Sequence, residues 1–502
     1  MASPHLTWAL LSPLILLLLT VVFAPQLQAL TSYLETSPRT PLSITATRQL
    51  DCGDGAHDVI SGWVHLPTGD MFWSLFQARR AAPGLVVHFQ GGPGMSAFDH
   101  AFLGAGPCQL TKGANATLAA LTPAPYPWTA HASLLVVDYP VGTGFSSYAD
   151  PRHPRIAPNT SAAAAQDFDS FLQTFLTEFS NYATQPLVLH SVSYGGTYVP
   201  HIASVVNNKN EERSPGRIAK NIDAIVLGNP LGDMVAEMTW QYTTMCVDEP
   251  RIWGEYRCGD LLEKLPACQD ALALAIEDNT TANRLNAREK YDPFDEDGFK
   301  LALRNRYDRR EEHCVPIHKC FWWFEPLQSL MNTEPLRRLL GAPPTDVFQW
   351  PIIGPASVNF YNEADHYQSA YRLLTPALEA GTRLFVYSGK DDTICGWRST
   401  LSWMRRLDSP HRAAFNNASF VPLLGGLAAG DVIGAGTDFT LLRVDDAGHL
   451  VEFDQPALVQ AIIAAAVKGR NYNPLVTAPE PEHDPWWFTQ WWWAAHFLQP
   501  VR

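Results

Sequence analysis

Apolar positions along this chain gather in short unbroken runs more often than they alternate with polar ones. "GLVVHF" (84–89), "SLLVVDY" (133–139), "PLVLHS" (186–191), "DAIVLGN" (223–229), "RLFVYSG" (383–389) and "FTLLRVDDAG" (439–448) are all rich in branched residues. Runs of this kind predict strands buried on both faces, as in a parallel sheet. Between two of them, "SAAAAQDFDSFLQTFLTEF" (161–179) places Phe168, Phe171, Leu172, Phe175, Leu176 and Phe179 at helical spacing. Strand, helix and strand in succession predict an α/β sheet with right-handed crossovers. Upstream, "SGWVHLP" and "MFWSLFQARR" predict an antiparallel hairpin at the start of that sheet. From about 233 to 345 the strand signal disappears, and the segment is charged, helical in composition and holds five of the eight cysteines. It predicts a cap inserted over the sheet. Residues 471–502 read as a Pro/Glu linker followed by five tryptophans between Trp486 and Trp493.

Composition narrows the class. The 502 residues suffice for one large domain with insertions, or for two. A formal net charge of −14 without a Lys/Arg run argues against a nucleic-acid partner. The apolar run from Trp8 to Phe23, followed by "APQLQAL", predicts a secretory signal peptide cleaved after Ala29, with an uncleaved anchor as the alternative. Four N-x-S/T triplets, at Asn115, Asn159, Asn279 and Asn417, are glycosylation candidates in that setting. The cysteines show no paired C-x-x-C zinc pattern, and an oxidising compartment favours disulfides. A secreted protein, or one of the secretory lumen or vacuole, is expected. The tryptophan tail is expected to pack on the body in preference to a membrane surface, since few basic residues accompany it.

The candidate chemistry begins at "LHSVSYGGTYVP" (189–200). A strand supplies "PLVLH", a helix begins at "GGTYVPHIASVV", and Ser193 sits at the turn between them. That is the context of a nucleophile elbow, in which a strained serine stands above the sheet. Such a serine needs a base and an orienting acid, in the order serine, acid, histidine, each at the end of a later strand. "LFVYSGKDDTICGW" ends a strand with Asp391 and Asp392, and "LLRVDDAGHLVEFDQP" ends one with His449. "HFQGGPGMS" (88–96) follows an earlier strand, where Gly91 and Gly92 let backbone approach a substrate and supply an oxyanion-binding N–H.

"QGGPGMS", "VDYPVGTGFS", "SYGGTYVP", "YSGKDDTICGW" and "AGHLVEFDQP" resemble the successive signature blocks of the serine carboxypeptidase family, from about residue 57 to 470. The resemblance implies an α/β-hydrolase fold, a mostly parallel sheet flanked by helices with a helical, cysteine-containing cap. It implies Ser193 as nucleophile, His449 as base, Asp392 instead of Asp391 as orienting acid, and Gly92 and Tyr194 as oxyanion donors. It also implies a Cys314–Cys320 disulfide. The departures carry as much information. The family reads a substrate's C-terminal carboxylate with an asparagine before the two glycines and two proton-sharing glutamic acids. Here those positions are Gln90, Val192 and Gly104, Met95 replaces a cysteine, and Ser191 replaces the usual elbow glycine.

The expected activity is release of C-terminal residues from peptides through an acyl-enzyme. The alternative is a relative acting on esters or amides without a free carboxylate, as a hydrolase or acyltransferase; a non-catalytic binding protein is the third class. The partner is a peptide or small acyl substrate. No metal or organic cofactor is implied, for the histidines show no H-E-x-x-H spacing.

Overall fold

A computed structural model describes residues 41–469, apart from 80–81, 83, 150–156, 315–316, 424–427 and 437. The expected signal peptide and tryptophan tail lie outside the described residues.

A twelve-stranded sheet organises the chain. Strands β1 (Leu42–Asp51), β2 (Ala56–Leu66), β3 (Gly69–Phe76), β4 (Leu85–His88), β5 (Ser133–Val137), β6 (Leu187–Val192), β7 (Ala224–Gly228), β8 (Arg383–Gly389), β9 (Gly430–Ala435) and β10 (Phe439–Val444) lie in the order β1-β2-β3-β5-β4-β6-β7-β8-β10-β9. Val421–Pro422 pairs beyond β9, and Ser147–Tyr148 pairs with β3. The six strands from β5 to β10 in this order are parallel to their neighbours. They are the six apolar runs of the sequence. The hairpin β2–β3 and strands β1 and β9 pair antiparallel at the two ends.

The parallel strands bury both faces. Val86, Val136, Val188, Val226 and Phe385 belong to one apolar cluster, while Val87, Leu135, Leu189, Leu227 and Val386 belong to another. The period of two thus divides two cores between opposite faces. Helix α1 (Phe98–Phe102) follows the glycine-rich loop after β4, and α2 (Ser161–Glu178) follows β5. In α2 the Thr160 hydroxyl caps the start by accepting from Ala163 N–H, and Phe168, Phe171, Leu172, Phe175 and Leu176 are buried. Helix α3 (Gly195–Glu211) leaves directly from the turn after β6.

Between β7 and β8 the chain builds α4 (Met234–Tyr242), α5 (Glu255–Glu277) and α6 (Thr281–Leu301). These helices share an apolar cluster of their own, including Met238, Trp253, Leu261, Leu272 and Phe294. Disulfides join Cys246 to Cys258 and Cys314 to Cys320 in this region, and Cys52 to Cys108 near β1, while Cys268 and Cys395 are free and buried. None of the described helices is long and apolar enough to cross a membrane.

Candidate active site

Ser193 follows the last residue of β6 with φ of 57°, a left-handed conformation that costs a non-glycine residue about 1–3 kcal/mol. Surrounding bonds hold it there: Ser193 N–H donates to Gly228 O at 2.9 Å, and Ser193 O accepts from Gly196 N–H at 2.9 Å and Leu231 N–H at 2.8 Å. The glycines after it permit close packing, since a Cβ at Gly196 would stand 2.6 Å from Leu231 N. Its neighbours Val192 and Tyr194 are buried, whereas Ser193 itself keeps partial exposure. The turn thus lifts one hydroxyl out of a buried strand end.

His449 lies just beyond β10 and Asp392 just beyond β8, on adjacent parallel strands. His449 Nδ1 is 2.8 Å from Asp392 Oδ2. That carboxylate is fully buried, and it also accepts from Asn229 Nδ2 at 2.7 Å, Ile394 N–H at 2.9 Å and Cys395 N–H at 3.3 Å. Burial alone would push the His449 imidazole down, but the charge and hydrogen bond of Asp392 outweigh it and hold it above the ordinary 6.5. Asp391, by contrast, is partly exposed, faces Arg310 at 3.6 Å and is pushed up by desolvation. Burial pushes the Cys395 thiol well up, and the Ser193 side chain partly offsets that shift.

Two contributors were not read from the sequence. Asn229, at the end of β7 with φ of 39°, ties Asp392 and also accepts from Gly389 N–H at 3.3 Å. Its only sequence signal is its place after a buried strand. The segment 305–309 clamps both loops from the insertion side: Tyr307 O accepts from His449 N–H at 2.7 Å, and Arg306 O accepts from the Thr393 hydroxyl at 2.7 Å.

The glycine-rich loop packs against the elbow. A Cβ at Gly91 would stand 2.5 Å from Val192 O and 2.7 Å from Tyr194 N, so only glycine fits there. This closeness brings the backbone of residues 91–92 beside the Tyr194 N–H at the start of α3. Gly92 is exposed, with φ of 108°.

The positions expected to read a carboxylate are disposed differently. Val192 is fully buried and Gln90 is 2% exposed. Gln90 turns inward: its Oε1 accepts from Gly91 N–H at 2.8 Å, and its Nε2 donates to Asp99 and lies 3.3 Å from His100 Nδ1. Gly104, with φ of 131°, borders a cavity of about 210 Å³ shared with Gln109, Lys112, Trp322, Trp323 and Glu452. Of the glycosylation candidates, Asn115, Asn279 and Asn417 are exposed, whereas the Asn159 amide donates to Glu363 at 3.2 Å.

A parallel sheet between two helical layers, a serine on a left-handed turn after a central strand, and an acid and a histidine after two later strands define an α/β-hydrolase. The family model described as serine carboxypeptidase matches residues 56–469, and the chain belongs to that family. Carboxypeptidase Y of Candida albicans is 26% identical over 426 residues, covering 84% of this chain and 74% of the relative. Carboxypeptidase Y homolog A of Paracoccidioides brasiliensis (strain Pb03) is 25% identical over 426 residues, covering 83% and 74%. Among solved structures, Kex1(delta)p, a prohormone-processing carboxypeptidase from Saccharomyces cerevisiae, aligns with a TM-score of 0.67 at 18% identity, covering 82% of this chain and 92% of that one. The protein is a serine carboxypeptidase-like hydrolase.

Proposed function

We propose that the protein cleaves peptide-like acyl substrates through an acyl-enzyme on Ser193, and that it does not require a free C-terminal carboxylate. His449 takes the Ser193 proton and returns it to the leaving group, while Asp392, held by Asn229, fixes the imidazole and stabilises its charged form. The N–H groups of Gly92 and Tyr194 receive the oxyanion. The observation that carries the hydrolytic reading is the buried His449–Asp392 pair, beyond strand ends of the same sheet whose strand β6 leads into the strained, partly exposed Ser193.

The relaxed substrate requirement rests on Gln90, whose amide is used inside the protein, and on Val192, which offers no donor or acceptor. Peptides ending in an ester or amide, and acyl transfer to acceptors other than water, are therefore within reach. A secretory or vacuolar location and glycans on the exposed Asn115, Asn279 and Asn417 belong to the same reading.

A fluorophosphonate probe tests the nucleophile. It should label the full-length protein once, at Ser193, and labelling should vanish in Ser193→Ala with the fold intact. Labelling at another residue would overturn the assignment.

A further inference from the structure

A second polar cluster lies entirely inside the protein, behind Gln90. His88 on β4 and His190 on β6 are partners in register, and both are fully buried. His100 of α1 stacks beside His88 with ring centroids 4.1 Å apart. Asp99 and Glu452, at 0% and 5% exposure, complete it.

The hydrogen bonds fix the tautomers. Tyr387 donates its hydroxyl proton to Glu452. Its oxygen then accepts from His190 Nε2–H at 2.7 Å. This leaves His190 Nδ1 as an acceptor, so the 2.8 Å contact with His88 Nδ1 has the His88 N–H donating. His88 Nε2 is then a bare lone pair, and it has no hydrogen-bond partner. His100 Nε2 and Glu452 Oε2 also lack partners. Buried polar atoms are seldom left unpaired, and a bound water or ion is one way to satisfy them.

We propose that His88, Asp99 and His100 bind one divalent transition-metal ion of the zinc class. One ligand atom from each lies within 4.8 Å of the others. His100 Nδ1 and Asp99 Oδ1 share a hydrogen bond at 2.9 Å, so an ion bound there would release that proton to solvent and place the two atoms near the roughly 3.3 Å edge of a tetrahedron with bonds of about 2.0 Å. Two imidazoles and a carboxylate suit zinc, copper or nickel, and not calcium or magnesium.

His88 has an outer partner, since its Nδ1–H donates to His190 Nδ1 at 2.8 Å, the arrangement that orients a metal-bound imidazole; Glu452 Oε1 lies 4.0 Å from His100 Nε2. The cavity beside Gly104 is lined by Glu452 and Phe453, and the Phe453 ring centroid lies 5.2 Å from that of His100, so the cavity approaches the cluster from this side. Through Asp99 the ion would brace Gln90 and hence the loop at Gly91. The other compact ligand group among the described residues, Cys52, His57 and Cys108, has its thiols joined in a disulfide.

The test is metal titration of the full-length protein after exhaustive chelation. One equivalent of Zn²⁺ should bind and raise the thermal midpoint. Co²⁺ should give visible absorption of a nitrogen–oxygen site without a thiolate charge-transfer band. Mg²⁺ and Ca²⁺ should do neither. His88→Gln and His100→Gln should each weaken Zn²⁺ binding by at least about 100-fold. No stoichiometric uptake by the unmodified protein would overturn the site, as would a thiolate band or undiminished binding in both variants. The unmodified protein decides even if a variant fails to fold.

Discussion

The proposed reaction centre and the positions proposed to meet a substrate's C-terminus are built differently. On one side the proposed centre of Ser193, Asp392 and His449 has the polar groups an acyl-transfer site needs, and Asn229 and the segment 305–309 hold the acid and histidine loops. On the other side the positions that would recognise a carboxylate are a buried valine, a glycine at an open cavity and a glutamine bonded inward. Only Val192 adjoins the proposed nucleophile in sequence, while Gln90 and Gly104 come from a different segment, so the two sets of residues are built on separate parts of the chain. The proposed reaction centre is anchored to central strand ends, and the proposed recognition positions sit on a loop and one strand-end side chain.

The largest effects should fall on the first half. Ser193→Ala or His449→Ala should lower kcat by about 10⁴-fold or more, with thermal stability nearly unchanged. Asp392→Asn should cost on the order of 10⁴-fold, while Asp391→Asn, whose carboxylate faces Arg310, should cost only a few-fold. Equal sensitivity of the two acids would show that the 2.8 Å His449–Asp392 contact does not set the tautomer.

Next comes the seam between the halves. Gly91→Ala drives a methyl to 2.7 Å from Tyr194 N, so it should displace the oxyanion donors and lower kcat about 10²- to 10³-fold, with little change in KM. A loss confined to KM would place Gly91 in substrate binding alone.

The pH profile follows in size. His449 acts as base only when neutral, and Asp392 holds its pKa above 6.5. The kcat/KM curve should therefore fall as pH drops through that raised value, with its acid limb above the ordinary imidazole range. An acid limb near the carboxylate range would point to a different controlling group.

The smallest effect belongs to the second half. Gln90→Ala should leave the ratio of rates on free-acid and amide substrates within about threefold, yet reduce stability by about 1–3 kcal/mol. Asp99 and Gly91 N–H would lose a buried partner. A large loss of free-acid preference instead would return Gln90 to substrate recognition.

Much of this was legible in the sequence, for reasons that differ by element. The parallel strands showed as continuous apolar runs because both faces are buried; order on successive strand ends offered Ser193, Asp391 or Asp392, and His449 as candidates, and the family resemblance chose Asp392 between the two acids. Strand β1 escaped because its pattern is mostly exposed, and β9 because its glycines and aspartate dilute an edge strand. Asn229 was hidden because its role depends on a left-handed turn at a strand end. The inward turn of Gln90 was hidden because His88, Asp99, His100, His190, Tyr387 and Glu452 meet only through sheet register and a helix start. No local motif joins them.

The central claim is that the hydrolytic half survives while the carboxylate-reading half does not. A matched pair of substrates tests it most directly: an N-blocked dipeptide with a free C-terminus and its C-terminal amide or ester, compared by kcat/KM across pH. The amide or ester should be cleaved at least as well as the free acid, and activity on both should rise towards neutral pH. A preference for the free acid of more than about tenfold, roughly 1.4 kcal/mol, with the best rate below about pH 5, would contradict it.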